Sequence, residues 1–327
     1  MPEALEALRV APAAALTRAA SMQSYLTIRW LADRAYRDDA FAIYAWFRWL
    51  DDTVDEDLTT AGERLDFIAR QRSILARTAD GASPADISPE EALLVRLVRP
   101  CAAGANPGLL LSLTSMLDVM EFDARRRGHR VTQAALDDYT HTLAVAVTEA
   151  LHHCIGHGCG CPHDASRYVA VTGAHVAHML RDLAEDVSAG YANVPVDAVA
   201  EAPTSLADLH TPEVRAWVQD RVALARSCFA TGRTYLARVE NARCRLAGHA
   251  YVARFEWVLD AIERDGYRVR SAYPERATVR GGLAIAADAA RSALAARRAG
   301  ASAHAQYTQH AQHEPHDSHE PSREVAR

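Results

Sequence analysis

Four aspartates carry the chemical signal of this chain: Asp51 and Asp55 in one segment, Asp182 and Asp186 in another. Each pair has the spacing Asp-x-x-x-Asp, which on a helix sets two carboxylates on one side, a turn apart. Arg48 stands three residues ahead of the first pair and Arg181 immediately ahead of the second. The first pair closes the run from Ala40 to Asp57, whose apolar residues Ile43, Phe47, Leu50 and Val54 are spaced as a buried helix face requires. At about 100° per residue, Asp51 lies only ~40° from Phe47, so the carboxylates and Arg48 border the core instead of facing away from it. The second pair belongs to Arg167 to Ala189, where Val176, Met179, Leu180, Leu183 and Val187 form the apolar stripe. His175, His178, Asp182 and Asp186 run along its edge.

A single acidic cluster is ordinarily a solvated helix face. Unpaired carboxylates beside a core cost several kcal/mol each, and a divalent cation removes that cost. The recurrence of one arrangement in two distant helices favours the cation. Mg²⁺ keeps several waters and takes one or two carboxylates plus substrate phosphate oxygens, so facing aspartate pairs suit the capture of a diphosphate. Metal and arginine would then absorb the charge of a departing diphosphate and leave an allylic cation in an apolar cavity. A di-iron carboxylate bundle wants two Glu-x-x-His motifs, and Glu149 to His152 is the one match.

The segments that must position these groups read as helices, with apolar residues at three- and four-residue spacing and no segment alternating like a strand. Starts are marked by Thr60 with Glu63, by Ser88 with Pro89 and Glu91, by Pro107 after Asn106, and by Thr132. Stops fall at Gly128, Gly156 and Gly190. Further helices are predicted from about Pro212 to Val239, Asn241 to Asp265 and Pro274 to Arg298. The predicted organisation is a short N-terminal extension over 1–20, one helical domain over 21–298, and a His-rich disordered tail over 299–327 with no part in the chemistry.

Composition narrows the function further. With 49% apolar residues in 327, the chain can bury a large core. A formal charge of −6 without a basic stripe argues against nucleic acid. All 36 basic residues are arginine, which excludes Schiff-base chemistry and a P-loop lysine. No apolar run reaches a membrane span and no signal peptide opens the chain, so a cytoplasmic protein is expected. Six scattered cysteines fit reduced thiols.

Ser24-Tyr25, the stretch Tyr44-Ala-Trp-Phe-Arg-Trp-Leu-Asp51-Asp-Thr-Val-Asp55, Phe122-Asp123, and His178-Met-Leu-Arg-Asp182-Leu-Ala-Glu-Asp186 together resemble the squalene/phytoene synthase family. Phe255-Glu-Trp-Val-Leu-Asp-Ala-Ile-Glu-Arg-Asp-Gly-Tyr267 extends the likeness, which covers roughly Ser21 to Ala295. The resemblance implies an all-α isoprenoid synthase (class I terpenoid synthase) bundle around a central cavity. It also implies Mg²⁺ or Mn²⁺ linked to Asp51, Asp55, Asp182 and Asp186, and two prenyl diphosphates of C15 or C20 length joined head to head. Arg48, Tyr139, His175 and His178 fall at its catalytic positions. Ser24, Tyr25, Arg48, Arg181 and Phe255 fall at substrate-binding ones. NADPH would serve squalene formation and not phytoene formation. Peripheral contact with a membrane is compatible with lipid substrates.

The chain departs from that family where Gln and Asn usually stand in the second motif, for His175 and His178 occupy those places. An imidazole there could ligate metal, hold diphosphate as a cation or act as a base, or be a satisfied core-edge histidine. Phe255 replaces a common tyrosine, and Val145 and Thr148 replace small glycines. The run His152 to His163 holds seven Cys and His residues among glycines; lacking paired Cys-x-x-Cys spacing, it reads as a loop in preference to a zinc site. The alternatives to head-to-head coupling are a class I cyclase, prenyl transfer to an aromatic acceptor, and a non-catalytic binding subunit with the same fold.

Overall fold

In the computed structural model, described over residues 13–103, 106–156, 160–191 and 193–273, the capping signals open the helices they mark. After a helical stretch at 13–20 come α1 (Met22–Leu31) and α2 (Arg37–Asp52), which runs directly into a π-helical turn, Thr53–Asp57. Then follow α3 (Ala61–Ala79), α4 (Pro89–Val98), α5 (Pro107–Arg126), α6 (Gln133–Cys154), α7 (Val169–Ser188), α8 (Pro212–Ala237) and α9 (Ala242–Arg264). Thr60 with Glu63 and Ser88 with Glu91 form reciprocal capping boxes, and Thr132 accepts from Ala135 N. Asn106 makes no side-chain cap, and Pro107 alone marks that start. Gly128, Gly156 and Gly190 take φ of +80°, +80° and +88°, where a side chain would strain the stop. No strand occurs among the described residues. The helix predicted over 274–298 and the tail lie outside them.

Among the described residues three apolar clusters build the bundle, two of them large. Trp46, Leu50, Leu94, Leu113 and Leu117 centre the first, from α2, α4 and α5. Leu180, Leu183, Phe229, Val252 and Leu259 centre the second, from α7, α8 and α9. Helices α7 and α8 approach closely because each offers a glycine to the other. A Cβ on Gly173 would stand 2.8 Å from Cys228 Cβ, and one on Gly232 would stand 2.6 Å from Ala170 Cβ.

Helices α1, α2, α5, α6 and α9 surround a cavity of about 450 Å³. Its wall is largely apolar, with Ile28, Met116, Val147, Leu151 and Tyr251 among the lining residues. This corrects one detail of the α2 reading. The row that α2 and the π turn after it bury fully is spaced by four, at Ala42, Trp46, Leu50 and Val54, whereas Ile43 and Phe47 are half-buried and line the cavity. The sequence stripe joins two neighbouring rows, one fully buried and one half-buried between core and cavity, with Trp46 also reaching the cavity wall. No helix among the described residues is long and apolar enough to cross a membrane.

Candidate active site

Phe47 is on the cavity wall, and Asp51 follows it by four residues, about 6 Å further along the helix axis. Arg48 Nη1 donates to Asp51 Oδ2 at 3.3 Å, and its Nε donates to Asp52 Oδ2 at 3.0 Å. Asp55 does not continue an α-helix. It sits in the π turn, where Leu58 N bonds Thr53 O at 3.1 Å, and its side chain is exposed. The wider turn re-aims Asp55, an arrangement often met at functional sites. Tyr191 OH donates to Asp55 Oδ1 at 2.7 Å, and Arg127 Nη1 donates to Asp55 O at 3.1 Å.

On α7, His178 Nε2 lies 2.8 Å from Asp182 Oδ2, and the Arg181 guanidinium grips the same carboxylate with both arms. Asp186 Oδ2 accepts from Asn193 Nδ2 at 2.6 Å, and Asn193 Oδ1 accepts from Arg126 Nη1 at 2.6 Å. Arg126 Nε donates to Asp123 Oδ1 at 2.7 Å, while Tyr139 OH donates to Asp123 Oδ2 at 2.8 Å. A continuous chain of charge-assisted bonds therefore runs from α7 through Arg126 and Asp123 on α5 to Tyr139 on α6. Tyr191, in the segment just past α7, secures α2.

The site holds more negative charge than its arginines neutralise. Burial, reinforced by Asp55, pushes the Asp51 carboxyl up to about 6. Burial and the neighbouring Asp182 push Asp186 up to about 7. Burial also raises Asp123, against the pull of Arg126. Asp182 is the opposite case: burial opposes its charge, but hydrogen bonds from Arg181 and His178 hold it well below the usual carboxylate range. Asp51 and Asp186 thus bind protons in the native state that an unfolded carboxyl with pKa about 4 releases. Their contribution makes stability rise as pH falls from about 7 to about 4, whereas that of Asp182 is lost only as pH falls below its unfolded value. We expect chelator-treated protein to show a higher Tm at pH 5.5 than at pH 8, and Asp51→Asn/Asp186→Asn to flatten that rise. An unchanged slope in the double variant would refute this charge assignment.

The other sequence candidates scatter around this centre. His175 is buried, its ring centroid 5.1 Å from that of Tyr139, and burial lowers it to about 3, so it is a neutral imidazole. Its Nδ1 has no hydrogen-bond partner among the described residues. Phe255 packs between Tyr251 and His178, at ring distances of 5.1 and 6.1 Å. Ser24 lines the cavity. Tyr25 instead stacks on Phe41 at 5.6 Å, under Arg18. Sequence reasoning did not single out Arg126, Tyr191 and Asn193, and took Asp123 only as a point of resemblance. The available signal was Asn193 at seven residues after Asp186, past the Gly190 stop.

The Glu149 to His152 match does not serve a metal. Glu149 takes both arms of Arg167, at 2.7 and 3.0 Å, and the Tyr168 hydroxyl at 2.9 Å. His152 Nε2 is 3.0 Å from Tyr235 OH. His153 Nε2 lies 3.3 Å from Asp39 Oδ2. Residues 157–159 of the Cys/His run lie outside the described residues.

The aspartates fit a hard divalent ion. Raised Asp51 and Asp186 mark a surplus of oxygen donors and charge, beside which the His178 imidazole is already engaged by Asp182. Among the described residues no three His, Cys, Asp or Glu side chains converge as a ready cage. An ion there would complete its shell from water or substrate oxygens.

An all-helical bundle with an apolar cavity and carboxylates one turn beyond its wall defines the protein's class, the isoprenoid synthase fold. The chain belongs to the squalene/phytoene synthase family, whose model matches residues 17–282. Among solved structures it is similar to the squalene synthase HpnC from Alicyclobacillus acidocaldarius, with 22% identity, a TM-score of 0.65, and coverage of 80% of this chain and 95% of that one. It is also similar to a dehydrosqualene synthase in complex with ligand, with 16% identity, a TM-score of 0.68, and coverage of 89% and 98%. At these identities the structures speak for the fold. No curated protein sequence matches the chain.

Proposed function

We propose that the protein is a Mg²⁺-dependent prenyltransferase that ionises a C15 or C20 prenyl diphosphate and couples it head to head with a second. The observation that carries this reading is the placement of Asp51 directly beyond Phe47, at the junction of the apolar cavity and the acidic network. Asp51, Asp55, Asp182 and Asp186 would hold the ion, which when bound supplies Lewis-acid stabilisation of the diphosphate.

The chain's own residues do the remaining work. The Arg126–Asn193 link positions Asp186, and the Tyr191 hydroxyl positions Asp55. Arg48 and Arg181 lie beside the aspartates and can offer charge to the leaving group as it departs. The apolar cavity wall, to which Phe47 and Tyr251 contribute, would shield the allylic cation from water. His178 is bound to Asp182 and orients that carboxylate. His178→Asn is therefore expected to weaken Mg²⁺ activation several-fold, read as a higher Mg²⁺ concentration for half-maximal rate. A shifted product with unchanged Mg²⁺ dependence would instead assign His178 to the fate of the cation.

The deciding experiment incubates purified protein with Mg²⁺ and, separately, C10, C15 and C20 prenyl diphosphates, with and without NADPH. Pyrophosphate and hydrocarbon are followed by mass spectrometry. A doubled carbon skeleton is the expected product. An unchanged skeleton would replace this reading with a cyclase, and silence with every substrate would favour an acceptor other than a prenyl chain or a non-catalytic role.

A further inference from the structure

Helix α1 has no fully buried residue although it walls the cavity. Ser24, Ile28 and Leu31 face the cavity, and another strip of the same helix faces solvent. On that strip Met22, Leu26 and Trp30 follow one another by four residues, with exposures of 48%, 45% and 72%. Leu16, in the helical stretch before α1, is also exposed, at 55%. Nothing in the proposed chemistry uses these side chains. Large apolar groups clustered on a surface mark a place where something docks.

The charges around them indicate what docks. From Ala13 to Ala32 the sequence contains no Asp and no Glu, and Arg18 and Arg29 are its charged residues. Both are exposed. The next acidic residue, Asp33, is already engaged by Arg243, so both arginines of this stretch stand on a chain whose formal charge is −6 without an acidic residue of their own segment. Two copies of the face brought together would oppose arginine with arginine, whereas a layer of anionic headgroups neutralises them. Exposed tryptophan at the edge of an apolar strip is suited to the headgroup level of a bilayer.

We propose that the exposed strip of α1 docks the protein on an anionic lipid bilayer. The inference rests on the prenyl-cavity reading for its purpose and on the α1 surface for its existence. Docked this way, one helix separates the cavity from the hydrocarbon of the membrane, so an apolar product has a short dry exit.

The test uses the full chain and sedimenting vesicles of phosphatidylcholine alone or with about one third phosphatidylglycerol. The protein is expected to sediment with the anionic vesicles. Arg18→Gln/Arg29→Gln should lower that partition about fivefold per arginine, roughly 25-fold together. Leu26→Glu/Trp30→Glu should lower it at least as far. Pyrophosphate release from a detergent-dispersed prenyl diphosphate should be unchanged in both variants, which separates docking from chemistry. Should a variant misfold, bromolipid quenching compares wild type with Trp30→Phe, and the quenched fraction belonging to Trp30 should vanish. Soluble wild-type protein with every vesicle overturns the proposal, as does binding that both variants retain, which would locate it on another surface such as 299–327. Concentration-dependent dimerisation abolished by the same variants, without vesicle binding, would assign the strip to a second copy. Vesicle binding without any turnover would leave docking standing and defeat the enzymatic reading alone.

Discussion

Asp51→Asn is expected to cut pyrophosphate release by roughly 10²- to 10³-fold or more, while leaving the helical circular-dichroism signal intact. Asp186→Asn should behave alike, because both replace a charged oxygen with a neutral amide of the same shape. The informative part is the opposite sign of their effect on stability. Burial beside like charges lifts Asp51 to about 6 and Asp186 to about 7, so each carboxylate is costly in the metal-free protein at pH 8. Removing that charge should raise the Tm of chelator-treated protein even as activity disappears, and Mg²⁺ should stabilise wild type more than either variant. Glu185→Gln on the same helix is the control, since Glu185 is exposed and should tolerate the change. Retained turnover in Asp51→Asn, or a lower metal-free Tm, would refute the view that this centre is built for a cation.

The largest expected loss of stability lies elsewhere, at Glu149 and Arg167. Both side chains are about 4% exposed, and their paired hydrogen bonds are supplemented by Tyr168. Glu149→Leu would strand a buried guanidinium, which costs about 3–5 kcal/mol and lowers Tm by roughly 5 °C in a chain of this size. Glu149→Leu/Arg167→Met should recover much of that loss, because two apolar groups leave no orphaned charge. If the double change is as harmful as the single one, the cost comes from packing around Gly108, where a Cβ would already lie 2.8 Å from Glu149 Oε2. Thermal unfolding of the two variants side by side decides between these accounts.

The two predictions show two uses of buried charge. Glu149 and Arg167 close on one another, and Tyr168 satisfies the remaining oxygen capacity. The aspartate centre leaves its charge partly unanswered. Arg126 must serve both Asp123 and Asn193, and among the described residues Asp186 receives the neutral amide of Asn193 and no guanidinium. That imbalance is affordable where a cation completes the site.

By itself the sequence marked most of the helices among the described residues and the four aspartates with their neighbouring arginines. Local signals suffice for such features: a capping box forms within four residues, as at Thr60 and Glu63, and the apolar period fixes which helix faces turn inward. Repeated Asp-x-x-x-Asp could be read because both aspartates of a pair lie four residues apart in one segment. Tertiary structure decided everything that depends on distant segments meeting. It divided the stripe into fully buried Leu50 and Val54 and half-buried Ile43 and Phe47, which pack on the core and also line the cavity, since that division depends on which neighbour each face meets. It turned Asp55 aside through a π turn that no local pattern announces. It brought Asn193 to Arg126 and Asp123 from a distant segment, and placed Tyr25 against Phe41. Charge followed the same division. The sequence counts the carboxylates, but only burial and proximity make Asp51 and Asp186 hard to ionise while Arg181 and His178 keep Asp182 charged.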